Sequence, residues 1–349
     1  MSDQPTYIIT GGAGFVGANL VAELLARQPA AHAVVIDNFR SGSFENIVQA
    51  CTRRGVGPFS GSVIPCSTAA LDWDMVVERH EPAVIFHLGT ITDTTIANEE
   101  EMIRENVGGF DRLLAIIGES RRQGRPIRLV YASSAATYGT PPQAVRREPF
   151  PESAAGHPRN VYGFSKWLME VAHRRAASKD DALPVVGLRY FNVFGPGEDR
   201  KGRMASMIFQ LASRMLAGLP PRLFKNGEHT RDQIPVEDVV DATLAAAGMK
   251  PLRTLPPRPG VYNVGSGVPT TFNQIVESLR VSLDIPASRL PTEYFDMPES
   301  VRAFYQDFTL ADVSAAAEGL NWKPTRPPLE WIGRYGSWLR AQTVGKRTP

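Results

Sequence analysis

Three glycines, Gly11, Gly14 and Gly17, separate the short apolar run Tyr7-Ile8-Ile9 from a segment in which Leu20, Val21, Leu24 and Leu25 recur at helical spacing. Strand, glycine turn and helix in that order restrict the fold of this chain more than any other feature. Glycines permit a tight turn and let the backbone approach a pyrophosphate. The helix beyond offers unpaired N–H groups and the positive end of its dipole to the anion. Asp37 follows Gly17 by 20 residues, at the end of a second apolar run over 33–36. A carboxylate there is placed to hold the hydroxyls of an adenine ribose. A glycine turn that merely packs strand on helix is the weaker reading, because strand, helix and Asp37 are in register. The form of the dinucleotide stays open. Asp37 would repel a 2′-phosphate, which argues for NAD; Arg40 could pair with that phosphate, which argues for NADP, or be a solvated loop arginine.

Further apolar runs follow at 62–64, 83–88, 127–131 and 183–189. The run 83–88 does not alternate with polar residues, as expected for a parallel strand buried on both faces. Helical patterns over 106–121 and Val161–Ala177 lie between the later runs. Strands alternating with helices predict an α/β fold, a Rossmann-type doubly wound parallel sheet. Beyond Arg189 the texture changes to a Gly- and Asn-rich stretch, a helix over 204–216, a polar loop with a short strand over 220–232, a helix over 236–249 and a strand over 261–265. The expected organisation is a nucleotide-binding domain, 1–189, which also receives 233–258, and a smaller discontinuous substrate lobe from 190–232 and 259–349. The cleft between them is the expected active site.

Composition removes several classes of function. Lys plus Arg is 38 and Asp plus Glu 36, too even to argue for nucleic acid or a polybasic membrane anchor. No stretch approaches a membrane span, and no signal peptide is read at the N-terminus, so a cytoplasmic protein is expected. Cys51 and Cys66 are too few for a disulfide framework, and the six histidines lack metal-ligand spacing, so no metal is expected. His87 reads as a core histidine, and Arg121-Arg122 and Arg146-Arg147 as solvated pairs.

Tyr162 and Lys166, four apart at the start of an amphipathic helical pattern, share one helix face. An ammonium beside a phenol, helped by a cationic nicotinamide, is expected to stabilise the phenolate and lower its pKa. The pair can then take a hydroxyl proton as hydride leaves the same carbon. Ser133-Ser134 follows the 127–131 run, where a serine at the C-terminal end of a parallel strand faces the ligand crevice.

With these residues a family resemblance is plain. The segments Thr10-Gly11-Gly12-Ala13-Gly14-Phe15-Val16-Gly17, Tyr131-Ala132-Ser133-Ser134 and Tyr162-Gly163-Phe164-Ser165-Lys166 resemble the extended short-chain dehydrogenase/reductase family of nucleotide-sugar epimerases, dehydratases and decarboxylases. Arg189-Tyr190-Phe191-Asn192-Val193-Phe194-Gly195-Pro196-Gly197-Glu198 and Lys201-Gly202-Arg203-Met204-Ala205-Ser206 are similar to its ADP-glycero-manno-heptose 6-epimerase branch.

The resemblance implies NADP, with NAD the alternative, one tightly bound per subunit of a homo-oligomer, and a nucleotide-sugar substrate. It implies Tyr162 as one acid/base with Lys166 as its partner, Ser134 on the reacting oxygen and Lys201 as a second acid/base. Phe15, Val16, Asp37, Asn38, Leu88, Gly89, Thr90, Asn106 and Val193 would touch the cofactor. Asn192, Phe224 and Tyr305 would line the sugar-nucleotide site, with Arg231 facing its pyrophosphate. Arg203 and Gln210 stand where that branch usually has Ser and His, and are expected at the substrate. Phe44 stands near a lysine of that branch that favours NADP, and Leu88 replaces an acidic residue. The expected reaction is 6-epimerisation of ADP-D-glycero-D-manno-heptose by transient oxidation. A UDP-hexose or UDP-hexuronate 4-epimerase is the alternative, and a non-catalytic dinucleotide sensor a lesser one. Dehydration is disfavoured, since Ala135-Ala136-Thr137 carries no acid after the serine.

Overall fold

The computed structural model describes residues 4–93, 96, 98–249, 256–297 and 306–345. In chain order the strands of the first half are β1 (Thr6–Thr10), β2 (His32–Ile36), β3 (Ser62–Ile64), β4 (Val84–His87), β5 (Arg128–Ser134) and β6 (Val185–Tyr190). The helices between them are α1 (Phe15–Arg27), α2 (Phe44–Arg54), α3 (Trp73–His80), α4 (Glu99–Val107), α5 (Phe110–Arg122), α6 (Pro142–Arg146) and α7 (Val161–Ala177).

These strands and β10 (Gly260–Val264) form a seven-stranded sheet in the order β10-β6-β5-β4-β1-β2-β3, with every pairing parallel. The Rossmann-type α/β fold read from the sequence is present. Successive residues of a strand point to opposite faces, and the core divides accordingly. Ile9, Val35, Phe86, Val130 and Val186 pack with α1 and α9 (Val236–Ala246) on one face. Ile8, Val34, Ile85, Leu129 and Val185 pack with α3 and α5 on the other. The chain reverses direction of travel across the sheet between β1 and β4, and the crevice at the C-terminal ends of those strands is where such folds bind ligands.

Two local differences from the sequence reading have clear causes. The helical pattern over 106–121 is two helices, because Gly108 ends α4 and Gly109 takes φ +77° before α5. That positive φ is cheap only for glycine. Strand β10 lies within 259–349, the range expected in the smaller lobe, yet it pairs with β6 at the edge of the large sheet, from Gly260 opposite Val186 to Val264 opposite Tyr190.

The rest of the chain builds onto the crevice. β9 (Thr230–Pro235) pairs with β7 (Asn192–Phe194) in parallel and with β11 (Pro269–Thr271) in antiparallel fashion. β8 (Arg222–Phe224) pairs with β12 (Glu293–Phe295). Helices α8 (Met207–Leu216), α10 (Phe272–Leu283) and α12 (Pro328–Gly345), the last following α11 (Ser314–Leu320), close a separate apolar cluster around Leu211, Leu279 and Ile332. Among the described residues no helix is long and apolar enough to cross a membrane.

Candidate active site

One cavity of about 1000 Å³ runs along the crevice, lined from the large sheet by Gly11, Asp37, Leu88, Ser134, Tyr162 and Lys166 and from the smaller elements by Lys201, Phe224 and Arg231. At its dinucleotide end the turn after β1 leaves the first N–H groups of α1 without a side-chain cap. A Cβ on Gly17 would stand 2.1 Å from the Gly11 carbonyl oxygen, so the turn closes only around glycine. Gly11, Gly14, Phe15, Val16 and Gly17 all line the cavity. Asp37 is buried, and its carboxylate accepts from Ala13 N–H at 3.0 Å and Phe39 N–H at 2.8 Å. Burial raises its pKa against the opposing pull of those two bonds. A bare anion cradle beside a locked carboxylate fits the pyrophosphate and ribose of a dinucleotide. Asn38, Arg40, Gly89, Thr90 and Val193 also line the cavity.

Asn106 is elsewhere. It is buried behind the loop that follows β4, where its amide accepts from Ile91 N–H at 2.7 Å and donates to Ile91 O at 3.0 Å and Ser165 Oγ at 2.9 Å. It ties that loop to α7 and is absent from the cavity wall.

At the reacting end, Ser133 and Ser134 close β5. Ser133 donates to Glu170 Oε1 at 2.6 Å, and Glu170 is held by Arg189 through two bonds, 2.8 and 2.7 Å. This buried bidentate pair fixes the back of the strand. The Ser134 Oγ accepts from Ala136 N–H at 3.1 Å, and a side-chain hydrogen bond joins Ser134 to the Tyr162 phenol. Asn160 caps α7 by accepting from Gly163 N–H at 2.7 Å, which sets Tyr162 and Lys166 on its first turns.

Lys166 is buried and donates to Thr90 Oγ1 and the Ala132 carbonyl, both at 2.8 Å, with Nζ 5.9 Å from the centre of the Tyr162 ring. Burial brings its pKa down to about 7. The expected depression of the Tyr162 pKa is not what the protein alone provides. Burial raises the phenol, and the Ser134 bond only partly opposes it. An ammonium so near neutrality through its own desolvation lends the phenolate little charge.

Lys201 reaches the same cavity from the 3-10 segment Asp199–Met204, its Nζ 5.5 Å from the centre of the Phe15 ring. Burial lowers its pKa, and the Glu198 carboxylate opposes that. Glu198 is fully buried and accepts from Gly195 N–H at 3.1 Å and from the N–H and hydroxyl of Ser206. Asn19 of α1 donates to Pro196 O at 3.0 Å, so the loop carrying Lys201 is tied to the dinucleotide helix.

In the smaller half, Asn192 donates to Asp232 O at 3.0 Å and Gln210 to Ala205 O at 2.8 Å. Phe224 packs on Phe295 with ring centres 4.8 Å apart, and Arg231 is buried at the wall. Arg203 is not on the wall. Its side chain is 73% exposed and pairs with Asp93 at 3.2 Å on the cavity rim. Tyr305 lies outside the described residues. His87 is a satisfied core histidine, 3.2 Å from Thr10 Oγ1, with its pKa driven to about 3 by burial.

Sequence reasoning missed Glu170, Glu198 and Asp232. Glu170 had a signal, since it follows Lys166 by four on one helix face; the other two are recognisable only from the loops they gather.

Fold and site together define a dinucleotide-dependent enzyme of the short-chain dehydrogenase type, and the chain belongs to the NAD dependent epimerase/dehydratase family, whose model matches residues 7–265. It is 34% identical to a protein of Cupriavidus pinatubonensis named ADP-L-glycero-D-manno-heptose-6-epimerase, over 96% of this chain and 98% of that one. The solved ADP-L-glycero-D-manno-heptose-6-epimerase of Helicobacter pylori is 30% identical, with a TM-score of 0.78 and 97% of each chain covered. A UDP-glucose 4-epimerase of Thermotoga maritima, solved with UDP-glucose, is 26% identical, with a TM-score of 0.77 over 97% of this chain and 99% of that one.

Proposed function

We propose that the chain is a nucleotide-sugar epimerase that converts ADP-D-glycero-D-manno-heptose to its L-glycero epimer by transient oxidation at C6. The observation that carries this reading is the convergence of two separately mounted proton carriers, Tyr162 on α7 and Lys201 on the 3-10 segment, on the cavity that also contains the anion cradle. Full-length similarity to two proteins named for that reaction supports the substrate.

A bound nicotinamide dinucleotide supplies a reversible hydride acceptor. The chain's own residues supply orientation and proton transfer. The Gly11–Gly17 turn and the first N–H groups of α1 hold the pyrophosphate, and Asp37 holds the adenosine ribose. Lys166 holds the nicotinamide ribose beside Tyr162. Ser134 donates to the carbonyl oxygen when rotation has brought it within reach of the phenol. Lys201, whose neutral amine is favoured by burial, removes the hydroxyl proton. Tyr162, which burial keeps protonated, returns a proton to the carbonyl oxygen once the carbon presents its other face. At an exocyclic carbon, rotation about one bond moves the oxygen to a new position, so a second carrier is useful. Phe224, Arg231, Asn192 and Gln210 take the sugar nucleotide.

Asp37 and the ion pair between Arg40 and Glu101 favour NAD over NADP. Residues 1–189, 233–258 and β10 would hold the dinucleotide, and 190–232 with the rest of 259–349 the sugar nucleotide. A homo-oligomeric enzyme is what the resemblance implies, and the cytoplasm is its expected setting. The second reading, a UDP-hexose 4-epimerase, draws on the Thermotoga maritima similarity. NMR of parallel incubations with ADP-D-glycero-D-manno-heptose and UDP-glucose separates them. Inversion at C6 of the heptose is expected, and inversion of UDP-glucose alone would remove the heptose assignment.

A further inference from the structure

Arg40 is the basic residue of the cavity wall nearest in sequence to Asp37, and its guanidinium donates to Glu101 Oε1 in the first turn of α4. We propose that Glu101 is a specificity-determining residue that reserves Arg40 and thereby keeps the adenosine end selective for a dinucleotide without a 2′-phosphate. The proposal rests on the reading of this cavity as a dinucleotide site.

The local charges explain the selectivity. Asp37 presents a carboxylate whose orientation is fixed by Ala13 and Phe39 N–H. Glu105 on the same wall accepts from the Ser67 hydroxyl at 2.6 Å. A 2′-phosphate would bring a charge of about −1.5 to −2 to this rim. Arg40 offers the planar fork that suits a phosphate, and its place three residues beyond Asp37 puts it at that end of the site. Its guanidinium is committed to Glu101, whose carboxylate cancels its charge. Glu101 is not on the cavity wall, so it acts on the dinucleotide through Arg40 alone. The pair is partly exposed, with side-chain exposures of 44% for Arg40 and 26% for Glu101. A partly exposed pair of this kind is weak, so the hold is breakable and adjustable by one substitution.

Isothermal titration of NAD and NADP into cofactor-stripped, full-length protein tests this without recourse to turnover. Glu101→Gln is expected to improve NADP affinity relative to NAD by about two- to fivefold, with NAD affinity changed less than twofold. Glu101→Ala is expected to do the same, which covers a fold defect in either variant. In an Arg40→Ala background the gain should vanish. An unchanged ratio, or an equal gain without Arg40, would overturn the proposal while leaving the dinucleotide reading intact. Failure of the parent protein to bind either dinucleotide would instead overturn that reading, and this inference with it.

Discussion

Tyr162 and Lys166 sit one helical turn apart, yet burial pushes their protons in opposite senses, holding the phenol protonated and the amine near neutrality. Lys166 is a base whose folded pKa, about 7, lies below its ordinary value of 10.5. Between those values the unfolded chain binds more protons, so the penalty of burying this group is full below about pH 7 and shrinks as pH rises toward 10.5. Lys166→Met should therefore raise the thermal midpoint most below pH 7, with the gain shrinking toward pH 10, while turnover is lost; melting curves across that range check the sign. Tyr162→Phe keeps the ring and removes the proton, so kcat should fall by about 10²–10⁴ while titrated binding of dinucleotide and sugar nucleotide persists. Lys201→Met should produce a similar fall. It should also abolish a rise of kcat with pH that reflects deprotonation of the amine below the usual lysine range. Full activity in Lys201→Met would remove the second proton carrier.

Elements rather than single side chains set the spacing of these groups. The β1 turn packs so closely that Gly17→Ala brings a Cβ onto the Gly11 carbonyl oxygen. Dinucleotide binding by calorimetry should drop at least about tenfold, with a lower melting midpoint, and an unaltered affinity would contradict the cradle. The loop from Gly195 to Ser206 depends on the buried Glu198 carboxylate for its shape. Its role was hidden in the sequence because a single glutamate gives no sign of which backbone groups it gathers. The glycine turn, the strands over 83–88 and 127–131 and the first turns of α7 were legible, since their periodicity and spacing are local properties. The break between α4 and α5 was missed because apolar spacing runs on through Gly108 and Gly109, and only the positive φ at Gly109 shows the interruption. The place of Arg203, off the cavity wall, was hidden for a related reason. The resemblance puts the arginine at the substrate, where that branch usually has Ser, but the carboxylate that takes it, Asp93, comes from a loop far away in sequence.

At the scale of the molecule, the parallel sheet and the smaller elements share one cavity, and the groups assigned to anion binding, hydride-linked proton transfer and sugar-nucleotide contact all border it. Buried Asp232, between the wall residues Arg231 and Gln233, gathers the segments behind that wall, accepting from Ser266 at 2.6 and 2.8 Å and from Gly267 and Ala311 N–H, each at 3.0 Å. The central claim is that the inverted carbon gives up its hydrogen as hydride and receives the same hydrogen back within the cavity. NMR of the ADP-heptose product formed in D2O tests it most directly. The account predicts inversion at C6 with the original hydrogen retained and no solvent deuterium on that carbon; deuterium incorporated at C6 would contradict it.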